Sequence, residues 1–164
     1  MKTLLLVRHA KSSWDQPGLT DFERPLNERG KRDAPEMGRR MKERIAIDLF
    51  VSSPAKRAKK TAKIFAEAYG VDKEEILFIE ELYSASPDTF AEVVASIQDK
   101  YKTIAVFSHN PGITDYANSL TNTRIDNIPT SAVFAVQAHT DSWKDFAAAE
   151  KTFLFFDFPK NPVN

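Results

Sequence analysis

Cysteine is absent from the 164-residue chain. Disulfides, thiolate nucleophiles and sulfur-ligated metals go with it. A thiol-free chain suits a reducing compartment, and the cytoplasm is the expected location. Long apolar runs are missing too. No window approaches the roughly 20 residues that a membrane-spanning helix needs, so no membrane partner is expected. The N-terminal "MKTLLLVRHA" has one lysine and a short apolar run, lacks a small-residue cleavage site and breaks into charge at Arg8. It reads as a strand, not a signal peptide. Net charge is also lacking: 23 basic residues balance 23 acidic ones, without the global field of a nucleic-acid binder. Charge is local instead. "AKRAKKTAK" (55–63) is basic and 72–99 is mostly acidic, runs that read as solvated helix faces. There is no internal repeat, linker or low-complexity segment, and no HxH, HExxH or carboxylate cluster supports a metal. No metal and no cofactor are expected.

What is present is an ordinary globular composition, 42% apolar and 28% charged, at a length that suits one domain. Residues 1–158 are expected to form it, with 159–164 a tail that frays beyond the last strand. Short apolar runs alternate with longer amphipathic ones, the signature of an α/β fold. Strands are expected near 3–8, 48–52, 76–79, 103–108, 132–138 and 152–156. Helices are expected at 28–44, from Pro54 onward, around 90–97 and from Pro111 to about Leu120. The second would bury Ala58, Ala62, Phe65 and Tyr69 as one stripe at helical period. Ser53-Pro54, Ser86-Pro87 and Asn110-Pro111 each place a capping side chain before a proline, predicting three helix starts.

Two strand ends carry chemistry. "LLLVRHA" and "TIAVFSHN" are each a buried strand followed by a histidine, His9 and His109, at the edge where open parallel sheets bind ligands. "LFVSSPAKRAKKTA" supplies a third strand end and leads into a helix whose first turns carry Arg57. Helix N-termini attract anions, and arginine's fork grips phosphoryl oxygens in pairs. Two histidines, Arg8, Arg57 and two helix ends on one edge suit a compact dianion, with phosphate fitting best. Taken singly, each residue has a plainer explanation: a rim histidine, a carbonyl-capping Arg8, a solvated Arg57. His139 has no motif around it and is read as a surface or rim residue.

At these residues the sequence resembles the histidine phosphatase superfamily, the phosphoglycerate mutase-like fold, and within it the SixA-type phosphohistidine phosphatases. "LLLVRHAKSSW" matches the family's R-H-G opening with Ala10 in place of glycine. "RPLNERG" (24–30), "VSSPAKRAKKTA", "VFSHNPGI" and "TSAVF" (130–134) follow in the family's order, so the match spans nearly the whole chain. The resemblance implies a three-layer α/β/α sandwich with a mostly parallel central sheet. It implies His9 as the nucleophile that becomes a transient phosphohistidine, and Arg8, Arg57 and His109 as the groups holding the phosphoryl oxygens. Ser12 and Asp15 occupy positions that in the wider family often lie near the phosphate, with loop capping as the plainer role.

Beyond Ala10, the chain departs from the family in two further places. Ser84 stands where many relatives carry a glutamate general acid, with Glu80 and Glu81 nearby, and 80–101 has room for one helix but no lid. An open, shallow site is expected. The resulting expectation is a phosphatase acting on a phosphorylated protein, phosphohistidine above all. A small-molecule phosphomonoesterase and an inactive phosphate-binding module are the alternatives, and a mutase is disfavoured by the absence of a lid. Nucleic acid is not an expected partner, since the basic run has no interleaved aromatics.

Overall fold

The structure, a computed structural model, describes residues 1–161. Six strands form one sheet in the order β3-β2-β4-β1-β5-β6. They are β1 (Lys2–Arg8), β2 (Leu49–Ser52), β3 (Leu77–Phe78), β4 (Thr103–Ser108), β5 (Val133–Ala138) and β6 (Lys151–Asp157). The first four in that order run parallel, and β5 and β6 close the other edge antiparallel. Four helices cover the sheet: α1 (Glu28–Arg44), α2 (Lys56–Ala68), α3 (Pro87–Ala95) and α4 (Gly112–Leu120). Among the described residues no helix is long and apolar enough to cross a membrane.

The layering follows from the pleat, which sends successive side chains to opposite faces. From β1, Leu5 and Val7 pack with Met37 and Met41 of α1 and Ala62 and Phe65 of α2. Leu4 and Leu6 pack with Phe90 and Val94 of α3 and Tyr116 of α4. All four β1 side chains are fully buried, which is why this strand reads as a continuous apolar run. The expected three-layer α/β/α sandwich is therefore the fold. β3 is shorter than the expected 76–79, and its exposed Leu77 and Phe78 mark it as a sheet edge.

Parallel pairing sets the ends of three strands side by side. Arg8 lies opposite Ser108, and Ser52 opposite Phe107. One residue further along each strand come His9, His109 and Ser53. Two glycines let neighbouring loops close over this edge. A Cβ on Gly30 would overlap the Lys11 carbonyl oxygen, and one on Gly112 that of Ala85.

Helix α1 begins and ends where expected, capped by Asn27, whose side chain accepts from the Gly30 amide at 2.9 Å. Of the three Xaa-Pro starts only Ser86-Pro87 behaves as predicted, with Ser86 accepting from the Thr89 amide. Helix α2 begins at Lys56, two residues past Pro54, because Ser53 Oγ accepts from the nearer Ala55 amide and meets His109. Helix α4 begins at Gly112, after a cis Asn110–Pro111 bond. The Asn110 amide group donates to Asn127 and Ile128 instead of capping. In both places the expected cap is drawn into contacts at the sheet edge.

The expected fraying after β6 is absent through residue 161. Arg40 Nη1 donates to Asp157 Oδ1 at 2.9 Å and to the Phe158 carbonyl at 3.0 Å, and the Asn161 amide donates to that carbonyl. Residues 162–164 of the expected tail lie outside the described residues.

Candidate active site

A cavity of about 700 Å³ opens at the carboxyl ends of β1, β2 and β4. Arg8, His9, Ser12, Arg57 and His109 all line it. His9, Arg57 and His109 are buried, with the two imidazole centroids 5.2 Å apart. The structure thus brings together residues separated by up to a hundred positions.

The hydrogen bonds assign a tautomer to His9. Its Nδ1 lies 2.8 Å from the Ala10 carbonyl, which can only accept, so Nδ1 carries the hydrogen. Nε2 is left with its lone pair, toward which Arg57 Nε–H points at 3.4 Å. The Ala10 amide in turn donates to Thr61 Oγ1 at 2.9 Å, and that hydroxyl donates to the Arg57 carbonyl one turn earlier in α2. The loop after β1 is thereby tied to the helix that carries Arg57.

His109 Nε2 lies 2.7 Å from Ser53 Oγ, while its Nδ1 is buried without a partner. Arg8 donates through Nη1 to the Ile128 carbonyl at 2.9 Å, and its Nε is also buried and unpaired. Buried polar atoms without partners are costly, and both residues that carry them line the cavity. Burial above all pulls the His9 side chain down to about 3, with Arg57, Arg8 and Arg24 adding to the effect against the Ala10 contact. His109 is also pulled down to about 3, by burial first and then by His9 and Arg57. Without a bound anion both rings are neutral at neutral pH, and a neutral imidazole is the form with a nucleophilic nitrogen.

Among the lining residues that went unforeseen are Asp21, Arg24 and Tyr83. Asp21 sits in a 3-10 turn, Asp21–Glu23, at the cavity wall. Its carboxylate accepts from Arg57 Nη2 at 3.0 Å, Arg24 Nη1 at 2.8 Å and Tyr83 Oη at 2.6 Å, and its carbonyl from Arg57 Nη1 at 2.6 Å. The Tyr83 hydrogen bond, then those from Arg24 and Arg57, hold the carboxyl well below the usual range. Arg24 also donates to Ser12 Oγ. A signal existed, since Arg24 opens "RPLNERG" and Asp21 precedes it by three residues.

Asp15 does not line the cavity. It is exposed, in a turn where its amide donates to Ser13 Oγ at 3.0 Å, so the loop points its carboxylate to solvent. Ser84 lines the cavity, whereas Glu80 and Glu81 do not: they lie exposed in the 3-10 turn Glu80–Leu82. The lining carboxylates are Asp21 and the exposed Asp115, in the first turn of α4. Among the described residues no lid covers the mouth, where Trp14 is 75% exposed. His139 lies far from this edge, exposed and 3.0 Å from Thr152 Oγ1.

Residues 4–103 match the profile of the histidine phosphatase superfamily (branch 1). An uncharacterized chloroplastic protein of Arabidopsis thaliana is 32% identical over 153 residues, covering 88% of this chain and 70% of that protein. The uncharacterized phosphatase PhoE of Bacillus subtilis is 42% identical over 71 residues, 41% of this chain and 35% of its own. The crystal structure assigned as phosphohistidine phosphatase SixA from Agrobacterium tumefaciens superposes with a TM-score of 0.81 at 26% identity, covering 96% of this chain and 98% of that one.

Proposed function

The chain belongs to the histidine phosphatase superfamily and is a phosphatase of SixA-like architecture; we propose that its substrate is a phosphohistidine on another protein, and that His9 carries the phosphoryl group between the two halves of the reaction. The observation carrying this reading is the His9 ring, locked by the Ala10 carbonyl so that Nε2 faces the cavity beside Arg57. In the first step the Nε2 lone pair attacks phosphorus and the P–N bond to the substrate imidazole breaks. Arg8, Arg57 and His109 donate to the non-bridging oxygens as charge moves onto them. In the second step water attacks the phosphorus on His9, inorganic phosphate leaves and the P–N electrons return to Nε2. Ser12, held by Arg24, is a further donor within the cavity.

The substrate class follows from the leaving group. An alkyl phosphoester releases an alkoxide unless a positioned acid protonates it. A phosphohistidine already protonated on its far ring nitrogen releases neutral imidazole and needs no acid. Of the two lining carboxylates, Asp21 is held ionised by Tyr83, Arg24 and Arg57. The absence of a glutamate from the cavity and its open mouth both favour a protein-borne phosphoramidate. A small-molecule phosphomonoesterase is the second reading, and Asp115 at the cavity favours it as the acid.

Rapid quench with a ³²P-labelled phosphohistidine protein tests the first reading. Acid-labile, base-stable label is expected on His9, with none in His9→Ala. Label on His109, or none under single turnover, would overturn the nucleophile. Equal turnover of alkyl sugar phosphates, lost in Asp115→Asn, would overturn the substrate class in favour of the second reading.

A further inference from the structure

A second cavity, of about 660 Å³, lies across the Asp21–Glu23 turn from the first. The turn is a partition: Asp21 lines the His9 cavity, whereas Phe22 and Glu23 line the second. Helix α2 is shared as well. Arg57 faces the phosphoryl site, while Lys56, Lys59, Lys60 and Lys63 line the groove. These lysines recur at i, i+3, i+4 and i+7, one face of a helix. Leu19, Phe22, Pro25 and Leu26 line it too, with Leu19 38% and Phe22 40% exposed.

This charge is only partly offset, by Glu74 near Lys63 and by Glu28, which pairs with the fifth lining lysine, Lys31. None of the four lysines makes an ion pair there. The carboxylate lining the groove is Glu23, whose Oε1 already accepts from the Thr20 amide at 3.3 Å and hydroxyl at 3.0 Å. Lys59 lies over the half-exposed Phe78 ring, 5.3 Å from its centroid. Burial first, then Lys59, Lys73 and Lys60, push the Lys63 ammonium down. A cationic rim above exposed aliphatic and aromatic surface is complementary to an acidic chain with an apolar anchor. The mainly aliphatic surface offers no row of rings on which bases could stack.

We infer that this groove docks the protein substrate: an acidic segment with at least one large apolar side chain lies along the α2 lysines while the phosphorylated residue enters the neighbouring cavity. The identity of that residue rests on the phosphohistidine reading above, but the docking does not, so the two are tested separately. Fluorescence anisotropy at low salt compares a glutamate-rich peptide containing leucine and phenylalanine with its glutamine counterpart and with an oligouridylate. The acidic peptide is expected to bind at least about 10-fold more tightly than the glutamine one, an advantage that shrinks as salt screens the lysines. The exposed pair Lys59→Glu/Lys60→Glu should abolish that advantage. With phosphohistidine in both peptides, this variant should lower kcat/KM for the acidic one about 10-fold, mainly through KM, and leave hydrolysis of free phosphohistidine unchanged. Equal binding of the two peptides, tighter binding of the oligouridylate, or an undiminished advantage in the variant would overturn the docking surface. If no phosphohistidine compound is hydrolysed while the acidic peptide still binds and the variant releases it, the substrate reading falls and the groove stands.

Discussion

The two cavities on either side of the Asp21–Glu23 turn are similar in volume, about 700 and 660 Å³, and both are cationic. In the first, Arg57 is 6% exposed and fixed by the Asp21 carboxylate and carbonyl, and His9 is fixed by Ala10. In the second, Lys56, Lys59 and Lys60 are exposed on long stems. Fixed donors stabilise charge that develops during reaction, because no reorganisation is required of them. Exposed lysines are screened and free to move, so they influence encounter and affinity, each modestly. On the proposed reading the contrast divides labour between cavities that share one helix: rate would belong to the buried groups, recognition to the exposed ones.

Substitutions in the first cavity should sharpen this division. Arg57→Ala is expected to lower kcat by roughly 100-fold or more, with little change in the melting temperature, since Asp21 keeps Arg24 and Tyr83. Steady-state kinetics beside a thermal melt checks it. An unfolded protein whose folded fraction retains full kcat would place Arg57 in the scaffold instead.

Asp21→Asn should cost about 10-fold in kcat by loosening Arg57. Tungstate should bind no more weakly, because a negative charge near the anion has gone. Parallel losses in kcat and tungstate affinity would break the positioning argument.

Acid should act on the first cavity through its two histidines. His9 and His109 are held at about 3 when folded against about 6.5 in a free chain;. Between these values the unfolded chain binds more protons, so their contribution to stability is complete above about pH 6.5 and is lost as pH falls toward 3. Denaturant titrations across that range should show the decline, and His109→Asn should flatten it. A slope unchanged in His109→Asn would place the acid sensitivity elsewhere. Ser84→Ala should have the smallest effect, under about 2-fold on phosphohistidine turnover, because neutral imidazole leaves without an acid. A 10-fold loss would give the Ser84 hydroxyl a role in the reaction.

Much of this architecture was legible along the chain. Helix α1 was readable because the Met37/Met41 spacing operates within a few residues, whereas its Asn27 cap was not foreseen. His9 and His109 were readable because each follows directly from a strand end, and Arg57 because it lies in the first turn of the helix that follows β2; strand ends of a parallel sheet fall together. Asp21 was not, since its partners Arg57 and Tyr83 lie 36 and 62 residues away. The same limit misplaced Asp15: nothing in the loop's composition reveals that Ser13 turns it outward. It also misplaced the starts of α2 and α4, where Ser53 and Asn110 look like caps until the sheet edge engages them.

By itself, then, the sequence determined the α/β alternation, the six strands, the helix periods and the residues that terminate β1 and β4. Burial of one face or one stripe is a local demand, written in period two or 3.6. Only the tertiary structure decided that His9 presents Nε2, that Asp21 separates the His9 cavity from a lysine-rimmed groove, and that glycine is required where Gly30 meets Lys11 and Gly112 meets Ala85. These depend on where distant loops converge on the sheet edge, and no local period specifies a contact between segments that are strangers in sequence.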